Sequence, residues 1–275
     1  MAKKRLDVLL VERNLMETRE KAKRVIMAGL VFSGQERMDK PGIKVDETIP
    51  LTVKGKLIPY VGRGGLKLEK ALTHFSVSVY NKIMVDVGSS TGGFTDCALQ
   101  NGAALSYAID VGYNQLDWKL RNDDRVVVME RTNFRYVTPD MLECGTPDFA
   151  TIDVSFISLK LILPVLKQLL AQNSDIIALI KPQFEAGREQ VGKKGIVREK
   201  KVHQSVLQAI IAFALKEGYQ LYDITYSPIT GGDGNIEFLA HFGWQNKKAG
   251  KAITDIELNQ LVEDAHRNFA ERSKS

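Results

Sequence analysis

Strand-like runs and helical patterns alternate along most of this chain, and the alternation constrains its fold more than any other sequence feature. The strand-like runs cover residues 83–87, 104–109, 125–129, 149–152, 175–180, 220–225 and 236–242, and helical patterns cover residues 94–100, 114–120, 159–171 and 201–217. Strands that alternate with helices form a parallel sheet with helices on both faces. Because no helical pattern separates the last two runs, we expect them to form an antiparallel hairpin at one sheet edge. The sequence therefore predicts an α/β fold that ends in a helix over residues 253–269.

The first 60 residues differ from the rest because they carry the whole excess of positive charge. They hold 13 Lys and Arg against 8 Asp and Glu, whereas the remaining residues hold 25 of each class. Apolar spacing predicts two helices here, the second over residues 19–28 with Thr18 as its N-cap, and a strand at residues 48–53. We therefore expect a small α+β domain over residues 1–60 and a larger domain over residues 61–275. The charge indicates binding to nucleic acid or another anionic surface, with a solvated basic face as the alternative.

Composition and cysteine content exclude several classes of protein. Hydrophobic residues make up 44% of the chain and charged residues 26%, which is typical of a folded protein with a real core. No apolar run approaches the roughly 18–20 residues that span a bilayer, and charges interrupt the N-terminal segment too early for a signal peptide. Cys97 and Cys144 lack the spacing of metal ligands. A cytoplasmic protein without disulfides, metal or stable membrane association is expected.

A glycine-rich loop follows the first strand of the larger domain. The segment 83–94 reads Ile-Met-Val-Asp-Val-Gly-Ser-Ser-Thr-Gly-Gly-Phe, so a buried strand ends in Asp-x-Gly and a helix follows. Glycines let the backbone approach a ligand closely, and the helix N-terminus presents N–H groups to it. The positions of Gly88, Gly92 and Gly93 differ from the dinucleotide pattern G-x-G-x-x-G, and no Gly-Lys-Ser/Thr follows as in a Walker loop. The loop instead resembles the first motif of S-adenosylmethionine (SAM)-dependent methyltransferases.

Two further residues support a nucleotide-like cofactor. Asp110 ends the next strand, 22 residues after Gly88, where an acid holds ribose hydroxyls in nucleotide sites. Asn133 follows the third strand, where an adenine contact is expected. The predicted cofactor-binding residues are Asp86, Gly88, Ser89, Ser90, Thr91, Gly92, Gly93, Phe94, Asp110, Asn133 and Asp153. A structural turn in an unrelated α/β protein is the alternative for the loop alone.

Four charged residues stand near strand ends of the same domain. Asp153 and Lys181 follow the fourth and fifth strands, Glu237 lies at the start of the last strand, and Lys67 precedes the first. Ionised groups are costly inside a sheet, so we expect Asp153 and Lys181 to face the cofactor cleft at its edge. Salt bridges at the sheet edge are the alternative for each residue. As a set, these four residues resemble the Lys-Asp-Lys-Glu tetrad of FtsJ-like ribose 2′-O-methyltransferases.

Several short motifs resemble one family over about residues 3–243. The motifs are Arg5-Leu6-Asp7, Thr18-Arg19-Glu20-Lys21-Ala22, Gly29-Leu30-Val31 and Lys40-Pro41-Gly42 near the N-terminus, and Ser90-Thr91-Gly92-Gly93-Phe94-Thr95, Asp153-Val154-Ser155-Phe156-Ile157-Ser158 and Lys181-Pro182-Gln183-Phe184-Glu185 later in the chain. The first group resembles the S4-type RNA-binding domain. The whole chain resembles the TlyA/haemolysin A family, which joins that domain to an FtsJ-like methyltransferase domain with a Rossmann-like sheet.

The resemblance implies a substrate and roles for the charged residues. It implies SAM-dependent methylation of a ribose 2′-hydroxyl in ribosomal RNA, with cytidine as the expected nucleotide and ribosomal subunits as partners. Phosphate contacts are expected from Arg5, Arg19, Lys23 and Lys40, because basic residues on one face position a nucleic-acid backbone. Lys181 is the candidate to orient and deprotonate the hydroxyl. Lys67 adds a charge that favours neutral Lys181, and Asp153 and Glu237 fix the two lysines.

Other functional residues and other functions remain open at this level. Phe156, Phe184 and Tyr113 are candidates to stack on a flipped base, although core or rim packing is the more common use of such residues. The basic residues at 193–194 and 198–201 suggest a mobile loop over the site. The family name allows a haemolysin or membrane-active protein, and the N-terminal domain allows a ribosome-assembly factor with a vestigial catalytic domain. The sequence leaves the target nucleotide and the oligomeric state undetermined.

Overall fold

The computed structural model describes residues 3–27, 29–54, 58–231 and 234–272. The chain divides into two compact units, residues 1–59 and residues 60–275. Each unit has a hydrophobic core of its own.

Two helices and two small sheets make up the N-terminal unit. Its elements are β1 (Lys3–Arg5), α1 (Leu6–Glu12), α2 (Arg19–Met27), β2 (Val31–Ser33), β3 (Glu36–Met38), β4 (Lys44–Asp46) and β5 (Thr52–Val53). Strand β1 pairs with β4, and β2 lies between β3 and β5, all antiparallel. The predicted α+β character is confirmed. The strand expected at 48–53 is shorter than predicted, and the expected helix end at Ala28 lies outside the described residues.

Apolar residues on the facing sides of α1 and α2 form the core of this unit. Leu6 and Leu10 of α1 and Val25 and Ile26 of α2 are fully buried, as their helical spacing predicts. The backbone N–H of Lys21 donates to Thr18 Oγ1 at 3.2 Å, which satisfies one free N–H at the start of α2. The hydrophobic pattern and the cap therefore fix the helix pair.

A seven-stranded sheet with helices on both sides forms the larger unit. Its strands are β6 (Ile83–Val87), β7 (Leu105–Ile109), β8 (Val126–Met129), β9 (Phe149–Ile152), β10 (Ser174–Ile180), β11 (Gln220–Tyr226) and β12 (Phe238–Trp244), and its helices are α3 (Gly64–Phe75), α4 (Gly93–Gln100), α5 (Trp118–Arg121), α6 (Leu163–Leu169), α7 (Pro182–Glu185), α8 (Lys200–Lys216) and α9 (Asp255–Arg272). The strand order is β11-β12-β10-β9-β6-β7-β8.

The pairing of the strands confirms the predicted α/β fold. The five strands from β6 to β10 are parallel to one another, and β12 is antiparallel to both β10 and β11. The last two strands thus form the predicted hairpin, and β12 additionally joins the hairpin to the parallel strands. Because parallel strands end at one edge, the loops after β6, β7, β9 and β10 meet there.

Two helix predictions need correction. The helix predicted at 114–120 forms only over its last residues, as α5, because Asn114 has a φ of +55° and the chain becomes helical only at Trp118. The Glu130 carboxylate accepts the backbone N–H groups of Asn114, Gln115 and Leu116, so those groups are satisfied without a helix. The helix predicted at 159–171 is divided into a 3-10 turn and α6. Helix α3, which carries Lys67, was not predicted.

Candidate active site

A chain of ion pairs joins the four residues of the predicted tetrad. Lys67 Nζ lies 2.8 Å from Glu237 Oε2 and 3.3 Å from Asp153 Oδ2. Lys181 Nζ lies 2.6 Å from the other oxygen of Asp153, Oδ1. Lys67, Lys181 and Glu237 are buried, and Glu237 is only 2% exposed. The structure therefore brings all four residues together, with Asp153 bridging the two lysines.

Four different elements supply these side chains. Asp153 follows β9 and Lys181 follows β10, and because these strands are parallel neighbours their ends lie side by side. Glu237 directly precedes β12, one position before the strand in which it was predicted to lie. Lys67 is on the first turn of α3. The tetrad thus combines residues beside three strands with one residue of a helix. Sequence periodicity predicted the strands but not the helix.

The buried charges in the tetrad stabilise one another. Burial alone lowers the pKa of Lys67, but the carboxylates of Asp153 and Glu237 outweigh it and raise the pKa above its usual value. Burial alone raises the pKa of Asp153, but Lys67 and Lys181 outweigh it and lower the pKa. Lys67 therefore stays an ammonium and Asp153 a carboxylate at neutral pH. Each buried charge has a partner, which is the condition under which buried ions are tolerated.

A cavity of about 420 Å³ lies over the tetrad and is called here the tetrad cavity. Its walls are formed by Arg63, Gly64, Lys67, Gly88, Ser89, Ser90, Thr91, Gly93, Phe94, Asp153, Ser155, Phe156, Lys181, Gln183, Phe184, Ile229, Thr230, Gly231 and Glu237. Sequence reasoning assigned no role to Arg63, Ser155, Gln183 or Thr230. Ser155 accepts a hydrogen bond from Lys181 Nζ at 3.1 Å. The two family motifs after β9 and β10 contain Ser155 and Gln183, and that was the available signal.

A second cavity of about 390 Å³ contains Asp110 and Asn133 and is called here the Asp110 cavity. The Asp110 carboxylate accepts the N–H of Ser90 at 2.8 Å and that of Gly112 at 2.7 Å, which holds it at the cavity wall. The residues that line both cavities are Gly88, Ser90, Asp153, Ser155 and Phe156. The two cavities therefore adjoin at the glycine loop and the loop after β9.

Two glycines of the loop, Gly88 and Gly93, lie too close to neighbouring backbone to carry side chains. Gly88 has a φ of +84°, and a Cβ there would lie 2.7 Å from the carbonyl oxygen of Asp153. A Cβ on Gly93 would lie 2.8 Å from the backbone nitrogen of Gly65. Gly92, with a φ of +92°, packs against Leu120 and lies in the wall of neither cavity. The glycines thus set the distance between the loop, the strand ends and α3.

Asp86 is placed differently from the other predicted cofactor residues. It is fully buried and lines neither cavity. Its carboxylate accepts hydrogen bonds from Thr95 Oγ1 at 2.7 Å, from Thr151 Oγ1 at 2.8 Å and from the Thr95 N–H at 3.1 Å. Burial raises the pKa of Asp86 to about 6 despite these donors. This geometry makes Asp86 a brace between β6, α4 and β9 beneath the glycine loop.

Of the three candidate stacking residues, two stand at the tetrad cavity. Phe156 is 90% exposed, has a φ of +63° and lines both cavities. Its ring centroid lies 5.0 Å from that of Phe184, which lines the tetrad cavity. Tyr113 is exposed and lies under the Arg131 guanidinium, 4.0 Å from ring centroid to Cζ, and lines neither cavity. The exposed face of Phe156 is therefore the best placed to meet a substrate.

A buried carboxylate in the N-terminal unit brings together two of the four predicted RNA-binding residues. Asp7 is fully buried, and its oxygens lie 2.9 Å from Arg5 Nε and 3.1 Å from Arg19 Nη2. The two arginines hold the pKa of Asp7 down at about 2. Their outer faces remain open to solvent, whereas Lys23 is half-buried and Lys40 is exposed. Arg5 and Arg19 thus form one fixed basic site.

The basic segment that was predicted to form a loop over the site is partly helical. Lys200 and Lys201 begin α8, and Lys200 pairs with Glu263. Buried Asn235 accepts the N–H of Val197 at 3.0 Å and donates to the carbonyl of Gly195 at 2.9 Å. The segment is therefore tied to the residues just before Glu237.

Within residues 3–27, 29–54, 58–231 and 234–272, no helix combines the length and the apolar character needed to cross a bilayer. No group of three or more His, Cys, Asp or Glu side chains in the same ranges is placed to hold a metal ion.

Comparisons with known proteins agree with the geometry of both units. Residues 60–244 match the model of the FtsJ-like methyltransferase family, and residues 4–48 match the S4 domain. A protein of Bacillus subtilis named as an rRNA methyltransferase, YqxC, is 65% identical over 271 residues, which cover 98% of this chain and 96% of the relative. The 16S/23S rRNA (cytidine-2′-O)-methyltransferase TlyA of Mycobacterium tuberculosis is 39% identical, with 97% of each chain covered.

Hemolysin names occur among the relatives as well. Hemolysin A of Brachyspira hyodysenteriae is 43% identical over 86% of this chain and 99% of its own length. A solved structure described as a hemolysin of Streptococcus thermophilus is 52% identical, covers both chains fully and superposes with a TM-score of 0.79. The family match spans the cavities and the whole tetrad, and the relatives match across both units. The chain therefore belongs to the FtsJ-like methyltransferase family, in the TlyA/haemolysin A group that also carries an S4 domain.

Proposed function

We propose that this protein transfers a methyl group from SAM to the 2′-hydroxyl of a ribose in ribosomal RNA. The observation that carries the proposal is the Lys67–Asp153–Lys181 ion-pair chain at the junction of two adjoining cavities. One cavity has the chemistry of a nucleoside site, and the other holds the charged groups that handle a hydroxyl and its proton. The paired lysines favour an active enzyme over an assembly factor with a vestigial catalytic domain, because nothing in RNA binding requires them.

The residues around the Asp110 cavity fit SAM. The Asp110 carboxylate is fixed by two N–H donors and retains lone pairs to accept hydrogen bonds from ribose hydroxyls. Asn133 lies in the same wall, where a contact to the adenine ring is expected. Gly88 leaves open a space that a Cβ would fill beside Asp153. When bound, SAM supplies a methyl group that is activated by a positively charged sulfur.

The tetrad residues orient the acceptor and take its proton. Lys181, once it has released its own proton, would accept the proton of the 2′-hydroxyl, and SAM, when bound, would supply the methyl group to the hydroxyl oxygen. The resulting ammonium is stabilised by Asp153, which lies 2.6 Å from Nζ. Lys67 holds Asp153 from the other side, and Glu237 holds Lys67. The products are 2′-O-methylated RNA, S-adenosylhomocysteine and one proton, which leaves Lys181 before the next turnover.

The N-terminal unit supports RNA as the substrate. Arg5 and Arg19 form a fixed basic site that suits a phosphate group, and exposed Lys40 adds a further cation. The relatives named TlyA are described as acting on 16S and 23S rRNA or on 23S rRNA, at cytidine. We therefore infer that ribosomal subunits in the cytoplasm are the partners and that cytidine is the modified nucleotide. The exposed ring of Phe156 is placed to stack on that base.

Methyl transfer from labelled SAM to isolated ribosomal subunits tests the proposal. The wild-type protein is expected to produce label in RNA that resists alkaline cleavage at one position, because a 2′-O-methyl group blocks attack on the adjacent phosphate. Lys181→Met is expected to lose at least about 10²-fold in rate, the usual contribution of a general base, while it still binds SAM. Lys216→Met is the control, since Lys216 is an exposed lysine at the end of α8.

Two results would contradict the proposal. No transfer to any ribosomal RNA under conditions in which SAM binds would rule out the enzyme. Label found on a base rather than on a ribose would rule out the 2′-hydroxyl as acceptor. If Lys181→Met turns over as fast as Lys216→Met, another group must accept the proton.

A further inference from the structure

Two motifs that mark the family follow β9 and β10. Only one residue of each, Asp153 and Lys181, belongs to the tetrad. The remaining residues of the first motif include exposed Phe156, and the second motif ends at Glu185. We propose that Glu185 is a positioning residue for methyl transfer. Through Ser158 it fixes the loop after β9, and with it Phe156, relative to Lys181. This inference rests on the proposed function.

Glu185 binds the loop after β9 at two points. Ser158 Oγ donates to Glu185 Oε2 at 2.5 Å, and the backbone N–H of Leu159 donates to Oε1 at 2.7 Å. Both carboxylate oxygens are therefore engaged by the neighbouring loop. Hydrogen bonds to an ionised carboxylate are about twice as strong as those between neutral groups, so this contact is a firm one.

The opposite end of the same loop is held by Lys181. Its Nζ donates to Ser155 Oγ at 3.1 Å and lies 2.6 Å from Asp153 Oδ1. Phe156 thus lies between two anchored serines, Ser155 and Ser158, and both anchors come from the segment 181–185. The two anchors therefore fix the position of the Phe156 ring where the two cavities adjoin.

The backbone of Phe156 needs such anchors. A φ of +63° is unfavourable for a bulky aromatic residue. The ring is 90% exposed, so burial of its apolar surface contributes little to offset that cost. Strain of this kind persists only where the surrounding structure enforces it. Contact between the Phe156 and Phe184 rings assists, but the hydrogen-bonded anchors are the groups that fix the backbone.

The partly buried environment of Glu185 also differs from that of an exposed surface carboxylate. Burial raises its pKa, whereas Ser158, the Leu159 N–H and the charge of Lys160 oppose the shift. A carboxylate that is kept in a partly desolvated position and has both oxygens paired within one loop acts as a rigid link. Its geometry is transmitted to Phe156 and Ser155, which line both cavities.

Steady-state kinetics with ribosomal subunits test the inference. Glu185→Ala removes both contacts and is expected to lower kcat by about 10- to 100-fold, since a misplacement of about 1 Å costs that much, with little change in SAM affinity. Glu185→Gln retains an acceptor for the Leu159 N–H and is expected to recover part of the loss. Ser158→Ala, which removes one contact, is expected to give a smaller loss. Glu189→Ala is the control, because Glu189 is an exposed glutamate four residues further on.

A double-mutant cycle separates positioning from mere stabilisation. Phe156→Gly removes both the ring and the backbone strain. If Glu185 acts through Phe156, Glu185→Ala is expected to reduce kcat much less in the Phe156→Gly background than in the wild type. Additive losses in the cycle would overturn the inference, as would equal kcat values for Glu185→Ala and Glu189→Ala. Should Glu185→Ala fail to fold, the same cycle with Ser158→Ala decides. An inactive wild-type protein would instead overturn the proposed function.

Discussion

Replacement of Gly88 by alanine tests whether the glycine loop sets the geometry of the site. Two costs follow from the structure. The φ of +84° is unfavourable for alanine by about 1–2 kcal/mol. The added Cβ would lie 2.7 Å from the carbonyl oxygen and 3.0 Å from the carbonyl carbon of Asp153, and relief of such an overlap typically costs about 1–3 kcal/mol. We therefore expect Gly88→Ala to lower the free energy of unfolding by about 2–5 kcal/mol.

A second glycine isolates the contribution of the contact with Asp153. Gly218, at the end of α8, has a φ of +94°, and a Cβ there would meet only the Trp244 ring at an ordinary 3.4 Å. Gly218→Ala is expected to lose only the backbone cost, about 1–2 kcal/mol. Urea unfolding followed by tryptophan fluorescence gives both values, and calorimetric titration with SAM gives the affinity. The reasoning fails if Gly88→Ala is no less stable than Gly218→Ala and binds SAM as well as the wild type does.

Three further substitutions probe buried charges. Asp7→Asn is expected to cost about 1–2 kcal/mol above pH 4, because the pKa of Asp7 is held at about 2 in the folded protein. The difference from the wild type should shrink below pH 4 and be lost as the pH falls through about 2; hydrogen exchange in α1 and α2 measures it. Burial disfavours ionisation of Asp86 in the folded protein, so the wild type loses stability as the pH rises from 4 through 6. Asp86→Asn lacks this ionisation and is expected to gain on the order of 2 kcal/mol relative to the wild type over that range. Urea unfolding at pH 4 and pH 8 checks the sign. Lys67→Met is expected to lower the free energy of unfolding by about 3–5 kcal/mol, since Glu237 would remain buried without its cation. The double variant Lys67→Met, Glu237→Gln should recover much of that loss in the same unfolding assay.

Strand ends were the part of the site that the sequence located well. The apolar runs that become β7, β9 and β10 are short and are followed by polar residues, and the ends of parallel strands meet at one edge of a sheet. The positions of Asp110, Asp153 and Lys181 follow from that rule alone. The antiparallel hairpin was predictable for a similar reason, because no helical pattern separates its two strands.

Helix α3 was not predictable from local pattern, although it carries Lys67. It begins with Gly64 and Gly65, which are poor helix formers, so propensity argues against a helix there. Tertiary packing explains it: a Cβ on Gly65 would lie 2.3 Å from the Tyr60 ring, and Gly93 of α4 lies close to the Gly65 nitrogen. The small residues allow α3 to approach α4. That requirement is visible only once both helices are in place.

The segment 114–117 shows the opposite error, in which a helical pattern did not form a helix. Glu130 directly follows β8, outside this segment, and its carboxylate accepts three consecutive N–H groups while it also pairs with Arg121. A remote carboxylate therefore replaced the hydrogen bonds of a helical turn. The positive φ of Phe156 was equally hidden, because it depends on contacts of Ser155 and Ser158 with another loop.

The sequence named the four tetrad residues but could not show how their charges combine. Lys67 pairs with Asp153 and Glu237, and Lys181 pairs with Asp153, so two cations and two anions meet in one cluster. The four charges of this buried cluster therefore sum to zero. Because a net charge is costly in a buried site, this balance explains why two acids accompany the two lysines.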